Sequence, residues 1–495
     1  MRGTFLLLII ILLRSLVVSA QGLNNLWLAG YENPHGTPVG GLTINFVTGT
    51  PNIYEENRLL NFSGTNAIIS DLGGNYLFAS NGVFIENSNN DTMINGSGLN
   101  PSPWTSLNAY YGLTLTQGNL IIPVPLDSSK YYLFHLTIDD YGSTNASLFL
   151  YYSTIDMSLQ GGLGEVIQKN VILLNDSLVC GKITACKHSN GRDWWLVCHQ
   201  NNTNLFYKFL ITPYTILGPY SQSIGEVRKA YLGQSKFSQD GKLFAYYDPG
   251  YGDLDIFDFD RCSGTFSLKA HVDINDSSIV GGVEFSPNSS LLYVSSNNYI
   301  YQFDLTVSNI SSTLDTIAAW DGYYSPSPPF ASTFYLAQLA LDGKIYLTCG
   351  NSTVDMHVIN NPNIKGDSSG VCQHCIHLPR YNGFTIPNYP NYFLGSESGS
   401  VCDSLIGVND LTSKTISISI FPNPVEHQNF SVSYPVSSST SILDIYNVNG
   451  NKVATYLLPQ WSSFQRIEIP NLVSGVYMVK LTNSEYSGST KFFIY

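Results

Sequence analysis

Phe237-Ser238-Gln239-Asp240-Gly241-Lys242-Leu243-Phe244-Ala245-Tyr246 and Phe285-Ser286-Pro287-Asn288-Ser289-Ser290-Leu291-Leu292-Tyr293-Val294 are copies of one pattern. A polar turn is followed by a strand of aromatic and β-branched residues. Asp, Asn, Ser and Gly favour the turn because they bond to nearby backbone or tolerate positive φ, and aromatic and branched side chains fill a pleated surface. Further copies are Asp71-Leu72-Gly73-Gly74-Asn75-Tyr76-Leu77-Phe78, Asp127-Ser128-Ser129-Lys130-Tyr131-Tyr132-Leu133-Phe134, Asn190-Gly191-Arg192-Asp193-Trp194-Trp195-Leu196-Val197 and Leu341-Asp342-Gly343-Lys344-Ile345-Tyr346-Leu347. The turns fall near residues 74, 129, 191, 241, 289 and 343, at intervals of 48 to 62 residues.

A strand-built repeat of about 50 residues is one four-stranded blade of a β-propeller. A blade has two apolar faces and cannot bury both alone, so blades stack around an axis. Residues 21–405 then hold about seven blades, with six or eight also compatible with the spacing, and the segments before residue 60 and after 350 together close the ring. Leu254-Asp255-Ile256-Phe257-Asp258-Phe259-Asp260 and Tyr299-Ile300-Tyr301-Gln302-Phe303-Asp304-Leu305 supply the next strands. In the first, the apolar phase slips between Ile256 and Phe257, which predicts a bulge or a strand end. The expected fold class is all-β, a β-propeller followed by a small immunoglobulin-like β-sandwich.

Composition agrees. Charged residues make up 12% of the 495 and aromatic residues 13%, with 33 tyrosines and 43% apolar residues overall. This suits many short strands joined by polar turns. The formal net charge of −13 argues against nucleic acid as a partner, because phosphate binding needs a basic face. At the amino terminus, Arg2 precedes the apolar run Phe5–Leu13, and Val18-Ser19-Ala20 offers small residues for cleavage, so residues 1–20 read as a secretory signal peptide. Arg14 interrupts the apolar stretch, which is too short to span a bilayer, and the mature chain is expected to have no transmembrane segment.

The last part of the chain reads as a separate module over residues 416–495, after a linker at 406–415. Asp444-Ile445-Tyr446-Asn447-Val448 and Asn451-Lys452-Val453 flank Asn449-Gly450, a hairpin with a two-residue turn. Pro422 and Pro424, on either side of Asn423, fix φ and deny donors, so the chain enters extended. Gly475 marks a tight turn into Val476-Tyr477-Met478-Val479. With Ser417–Pro424, Ile442–Val453, Ser474–Leu481 and Lys491–Tyr495 in this order, the module resembles the type A C-terminal sorting domain of the type IX secretion system of Bacteroidota. The alternative is an ordinary immunoglobulin-like module. The resemblance makes Pro422, Asn423, Pro424, Gly450, Lys452, Gly475, Tyr477 and Lys491 the sorting signal. It implies the type IX machinery as partner, a secreted or outer-membrane-surface location, tag removal between about Asp403 and Ser417, and possible lipopolysaccharide anchoring. Through Gly181-Lys182-Ile183-Thr184-Ala185-Cys186-Lys187-His188 and Trp320-Asp321-Gly322-Tyr323-Tyr324-Ser325-Pro326, nearly the full length resembles exported Bacteroidota propeller proteins that carry the same tag, a resemblance that implies fold and location and leaves function open.

Local chemistry is sparse. Cys186-Lys187-His188-Ser189-Asn190-Gly191-Arg192-Asp193-Trp194-Trp195 is the densest cluster. His188, Arg192 and Asp193 beside Trp194 and Trp195 would suit a sugar or carboxylated ligand, since indole faces cover C–H patches while Arg and Asp fix hydroxyls or carboxylates. The alternative is a structural turn. Cysteines stand at 180, 186, 198, 262, 349, 372, 375 and 402, and an exported chain meets an oxidising compartment. Clustering suggests pairs among Cys180, Cys186 and Cys198, or among Cys372, Cys375 and Cys402. Cys372-Gln373-His374-Cys375-Ile376-His377 has zinc-ligand types, yet four ligands within six residues would strain a tetrahedron. A disulfide from Cys372 or Cys375 to Cys349 or Cys402 is the other reading. Asp139, Asp140, Asp253 and Asp255 are candidates for paired carboxylates or calcium ligands, though Asp is common at turns and strand ends. No metal or cofactor is expected, and no catalytic residue is nominated, because the zinc-hydrolase, phosphate-loop and nucleophile-elbow motifs are missing.

The leading expectation is an exported propeller that binds a protein or glycan without catalysis. A carbohydrate hydrolase is the second reading and a structural surface or gliding component the third. Geometry separates the first two: paired carboxylates about 5–10 Å apart in an open funnel favour hydrolysis, whereas apolar and amide lining favours binding.

Overall fold

The structure is a computed structural model that describes residues 22–32, 38–229, 232–326, 329–403, 414–416, 418–425, 428–437, 439–448, 450–483 and 486–495. The signal-peptide segment 1–20 and most of the linker lie outside the described residues. The chain divides into two compact units, Met1–Ser404 and Leu405–Tyr495.

The first unit is all-β and propeller-like. A three-stranded sheet, Leu26–Gly30, Gly41–Asn45 and Asn52–Glu55, is followed by antiparallel four-stranded meanders. The second sheet begins at Ala67, the third at Asn119, the fourth at Thr184, the fifth at Gln234, the sixth at Gly281 and the seventh at Phe334. The second and third are joined through one parallel pair, Glu165 opposite Ile94. Each turn read from the sequence joins the first and second strands of one meander. At the fifth sheet, Gly241 holds φ 71°, and a Cβ there would lie 2.7 Å from Cys186 Sγ, so the turn requires glycine. The register of the fifth sheet shifts between Ile256 and Phe257, at the step where the apolar phase slips.

First strands of successive sheets pack against one another, except between the third and fourth. Those two are linked just ahead of their first strands, by Lys182 N and Ile183 N donating to Thr116 O and Gln117 O at 3.1 and 3.2 Å. The last strand of the seventh, Val371–Gly383, returns to the first sheet. The circuit is therefore closed. Its middle is filled by the chain itself. Residues 384–394, Phe-Thr-Ile-Pro-Asn-Tyr-Pro-Asn-Tyr-Phe-Leu, form no strand or helix. Thr385 Oγ1 donates to Gly64 O at 2.9 Å, Asn388 N to Asn66 O at 2.8 Å and Asn388 Nδ2 to Asn119 O and Ile183 O at 2.8 and 3.0 Å. Asn391 Nδ2 donates to Gln239 O, Tyr392 Oη to Ile121 O and Tyr389 Oη to Leu339 O, each at 2.9 Å. A segment bonded to the second, third, fourth, fifth and seventh sheets lies on their common axis. Its polar groups supply partners that inner strand edges would otherwise lack once buried.

Cysteine pairing meets expectation in part: the Cys372–Cys375 bond falls within the expected Cys372, Cys375 and Cys402 group, whereas the Cys180, Cys186 and Cys198 group forms no bond. Cys372 bonds Cys375, and Cys402 bonds Cys262, while Cys180, Cys186, Cys198 and Cys349 remain thiols. Cys186 lies opposite Trp195 in the fourth sheet, and Cys198 is three positions further along. Side chains alternate faces along a strand, so Cys186 and Cys198 sit on opposite faces and cannot meet. Pairing of Cys372 with Cys375 also removes the zinc reading of that run.

The second unit pairs a five-stranded sheet with a three-stranded one. Alternation along Gly475–Thr482 sends Tyr477, Val479 and Leu481 inward, where they meet Phe430, Val432, Leu443, Ile445 and Phe492. The hairpin after Asn447 is one residue longer than expected. Asn447 N donates to Asn451 O at 3.0 Å, and Gly450 holds φ 77°.

Candidate functional site

At one mouth of the axis, a cavity of about 400 Å³ opens between the first strands of the fourth to seventh sheets and the axial segment. The turn pattern places its polar groups. Lys236 precedes Phe237-Ser238 in the fifth sheet, Glu284 precedes Phe285-Ser286 in the sixth, and Gln338 precedes Leu339-Ala340 in the seventh. One position in three consecutive repeats thus points to one place. Lys236 Nζ lies 3.4 Å from Glu284 Oε2 and donates to Gln338 Oε1. Glu284 also accepts from Phe285 N at 3.0 Å and Leu339 N at 3.1 Å.

Both charged groups are buried. Desolvation lowers the Lys236 pKa, against the pull of Glu284, and raises that of Glu284, against the pull of Lys236. Mutual neutralisation and backbone donors keep the pair tolerable in low dielectric. Lys236→Met leaves Glu284 without its counter-charge and is expected to cost ~3–5 kcal/mol of stability. Adding Glu284→Leu should restore much of that. A urea-denaturation double-mutant cycle checks this; additive losses would overturn the pairing.

The rest of the lining is amide, hydroxyl and apolar: Asn24, Thr184, Ser238, Gln239, Asn391, Phe237, Leu339, Tyr389 and Phe393 among them. Glu284 is the one carboxylate in the lining, and it is engaged by Lys236, so the cavity has no carboxylate pair. Sequence reasoning missed Lys236, Glu284 and Gln338. The available signal was a polar residue at the same place in three successive repeats.

The cluster nominated from sequence is a tied turn. His188 Nε2 donates to Cys262 O at 3.0 Å, and its Nδ1 accepts from Asn190 N at 3.1 Å. Arg192 Nε and Nη2 fork onto Asp193 at 2.7 and 3.1 Å. Trp194 and Trp195 are 1% and 4% exposed, so neither indole offers a sugar a face. Trp195 Nε1 donates to Arg261 O at 2.9 Å, and Trp194 packs edge-on to Tyr392 of the axial segment. Strand alternation drives the two rings to opposite faces, and neighbouring sheets cover both. Arg192 and the edge of Trp194 do border a second cavity of about 390 Å³, facing the Pro123–Ser128 turn. Lys187 lines it too. Its Nζ lies 4.3 Å from the Trp194 ring centroid, and burial lowers its pKa to about 8.

In the second unit, Asn423 Nδ2 donates to Lys491 O at 3.1 Å, and Asn423 Oδ1 accepts from Phe493 N at 3.0 Å. This ties the Pro-Asn-Pro entry to the last strand. Lys452 pairs with Asp444 at 3.3 Å, and Tyr477 stacks on Phe492.

Comparison with solved structures finds similar chains of low identity. A protein from Lactobacillus plantarum aligns at 11% identity and TM-score 0.42, covering 73% of this chain and 98% of that one. A protein described as a putative 6-phosphogluconolactonase from Bacteroides fragilis aligns at 12% identity and TM-score 0.43, covering 74% and 98%. A periplasmic gluconolactonase from Pseudomonas aeruginosa gives 12% identity and TM-score 0.41, covering 74% and 100%. Comparison with curated proteins finds no match. Among the described residues, no helix is long and apolar enough to cross a membrane. Residues 419–495 match the family described as the secretion system C-terminal sorting domain, and this tail marks the chain for type IX secretion, to the cell surface or beyond it.

Proposed function

We propose that this is an exported seven-bladed propeller that binds a glycan or protein ligand at the mouth of its axis and does not turn it over. The observation that carries this reading is the lining of the axial cavity. Its surface is built from amide, hydroxyl and apolar groups, with a single ion pair already satisfied and the channel below filled by residues 384–394. Such a surface can hydrogen-bond hydroxyls and pack apolar patches, whereas glycoside hydrolysis needs two carboxyls flanking the scissile bond. Arg192 and Lys187 at the second cavity are the proposed secondary contact for a carboxylated group. The sorting domain is read as an immunoglobulin-like sandwich that is removed after outer-membrane passage, leaving the propeller anchored to lipopolysaccharide or released.

A glycan-array screen of the purified chain, with product analysis of every sugar retained, tests the binding claim. Retention without cleavage supports it, and a cleaved product establishes the hydrolase instead. Deletion of 416–495 is expected to trap the protein in the periplasm, scored by cell fractionation and surface proteolysis. Normal surface display of the truncated chain would refute the sorting role.

A further inference from the structure

The third and fourth strands of the fifth sheet, Asp253–Asp260 and Thr265–Asp273, pair Asp253 with Asp273 and Asp255 with His271. Alternation puts all four side chains on one face. One ligand atom each from Asp253, His271 and Asp273 lie within 4.8 Å of one another. His271 Nδ1 is 2.8 Å from Asp255 Oδ1 and donates to it, which turns Nε2 toward Asp273 Oδ1 at 3.2 Å and Asp253 Oδ1 at 3.9 Å. In neutral imidazole, that Nε2 is a lone pair facing two carboxylate oxygens. Three acceptors meeting without a donor demand a cation or an added proton between them.

The surroundings favour a divalent ion. Asp255 is buried, and it is held by Arg228 and by Glu226 N at 3.2 Å. The outer oxygen of Asp253 lies 2.9 Å from Arg228 Nη1. Asp253, Asp255 and Asp273 against Arg228 leave two negative charges beside the imidazole. A histidine oriented by a buried carboxylate, with two further carboxylates around its free nitrogen, matches the donor set of zinc-class ions.

We infer that Asp253, His271 and Asp273 form a divalent-metal site of the zinc class, with Asp255 as the positioning residue for His271 and one coordination position open to solvent. The site is on the outer strands of the fifth sheet, independent of the axial cavity, so it stands whether or not that cavity binds a ligand.

The test is calorimetric titration of the chelator-treated full chain with zinc chloride at pH 7.5, repeated with cobalt while following visible absorption. One equivalent should bind, with a d–d spectrum of low-coordinate cobalt. His271→Ala should weaken binding by about 100-fold and Asp255→Asn by about 10-fold. Asp273→Asn is a second ligand variant on an exposed side chain, and its loss of affinity should match that of His271→Ala if both ligate. No uptake by the native chain, or uptake unchanged in both ligand variants, overturns the site and leaves His271 as a protonated ion-pair partner.

Discussion

Asn388→Asp is expected to lower the stability of the propeller-like unit by ~3–5 kcal/mol, although it changes only an amide to a carboxyl of the same shape. Asn388 Nδ2 serves Asn119 O and Ile183 O, while its Oδ1 accepts from Gln117 Nε2 at 3.1 Å. Gln117 in turn bonds Ser235 N and O at 2.8 and 2.9 Å. This one amide therefore joins the axial segment to the third, fourth and fifth sheets. A carboxylate would keep the acceptor role but face two buried carbonyls with negative charge and no donor. Protonation would restore one donor, so the defect should shrink on mild acidification. Thermal unfolding followed by near-ultraviolet circular dichroism checks the effect, with a loss of about 5 °C expected. A midpoint within about 2 °C of the native protein would show that the axial amide is dispensable.

Stability is also expected to fall steeply as pH drops from about 6.5 toward 4. Burial holds His135 and His199 down at about 3 and His357 at about 4. Their contacts fit the neutral ring. His135 Nδ1 faces Asn100 Oδ1 at 2.8 Å, and its Nε2 takes the Ser153 hydroxyl at 2.9 Å. His199 Nδ1 donates to Gln200 O at 2.7 Å, and its Nε2 has no hydrogen-bond partner. His357 Nδ1 accepts from His374 N at 3.0 Å, leaving Nε2–H toward Cys349 Sγ at 3.3 Å.

The unfolded chain takes up these protons near pH 6.5, while the folded chain resists them until about 3 to 4. Stability is thus intact above the unfolded value and lost below it, at ~1.4 kcal/mol per histidine per pH unit. Together the three histidines give a loss on the order of 8 kcal/mol between pH 6.5 and 4.5. Urea midpoints measured at pH 7.5, 6 and 5 test this, and His135→Gln should reduce the slope by about a third. A flat profile across that range would refute the assignment.

How much of this was readable in the sequence depends on whether the signal was local. The Asp240-Gly241 and Asp342-Gly343 turns announce themselves, because a tight reversal selects residues for their backbone. The slip at Ile256–Phe257 was equally plain, since strand period is fixed at two. Lys236, Glu284 and Gln338 were not visible. Each is an ordinary polar residue in its own strand, and only closure of the circuit brings them together. The Trp194-Trp195 pair misled for a related reason. Adjacent aromatics look like a platform, yet on a second strand covered on both faces they are core. The same alternation rule would have excluded a Cys186–Cys198 bond. Residues 384–394 resemble a surface loop, with two prolines and no period. Their burial is imposed by carbonyls on other sheets, which no local pattern records.

That axial segment also sets the timing of the protein's completion. The described strands of the first unit are all present once Gly383 has been made, but Asn119 O, Ile121 O, Ile183 O and Leu339 O receive donors from residues further on. A chain emerging from its amino terminus cannot finish this unit until its last turn-rich stretch has appeared. The export tag begins shortly afterwards, at residue 419. Premature termination anywhere before the axis therefore yields a product that lacks both a finished fold and an address, so defective copies are excluded from display by the order of the sequence itself.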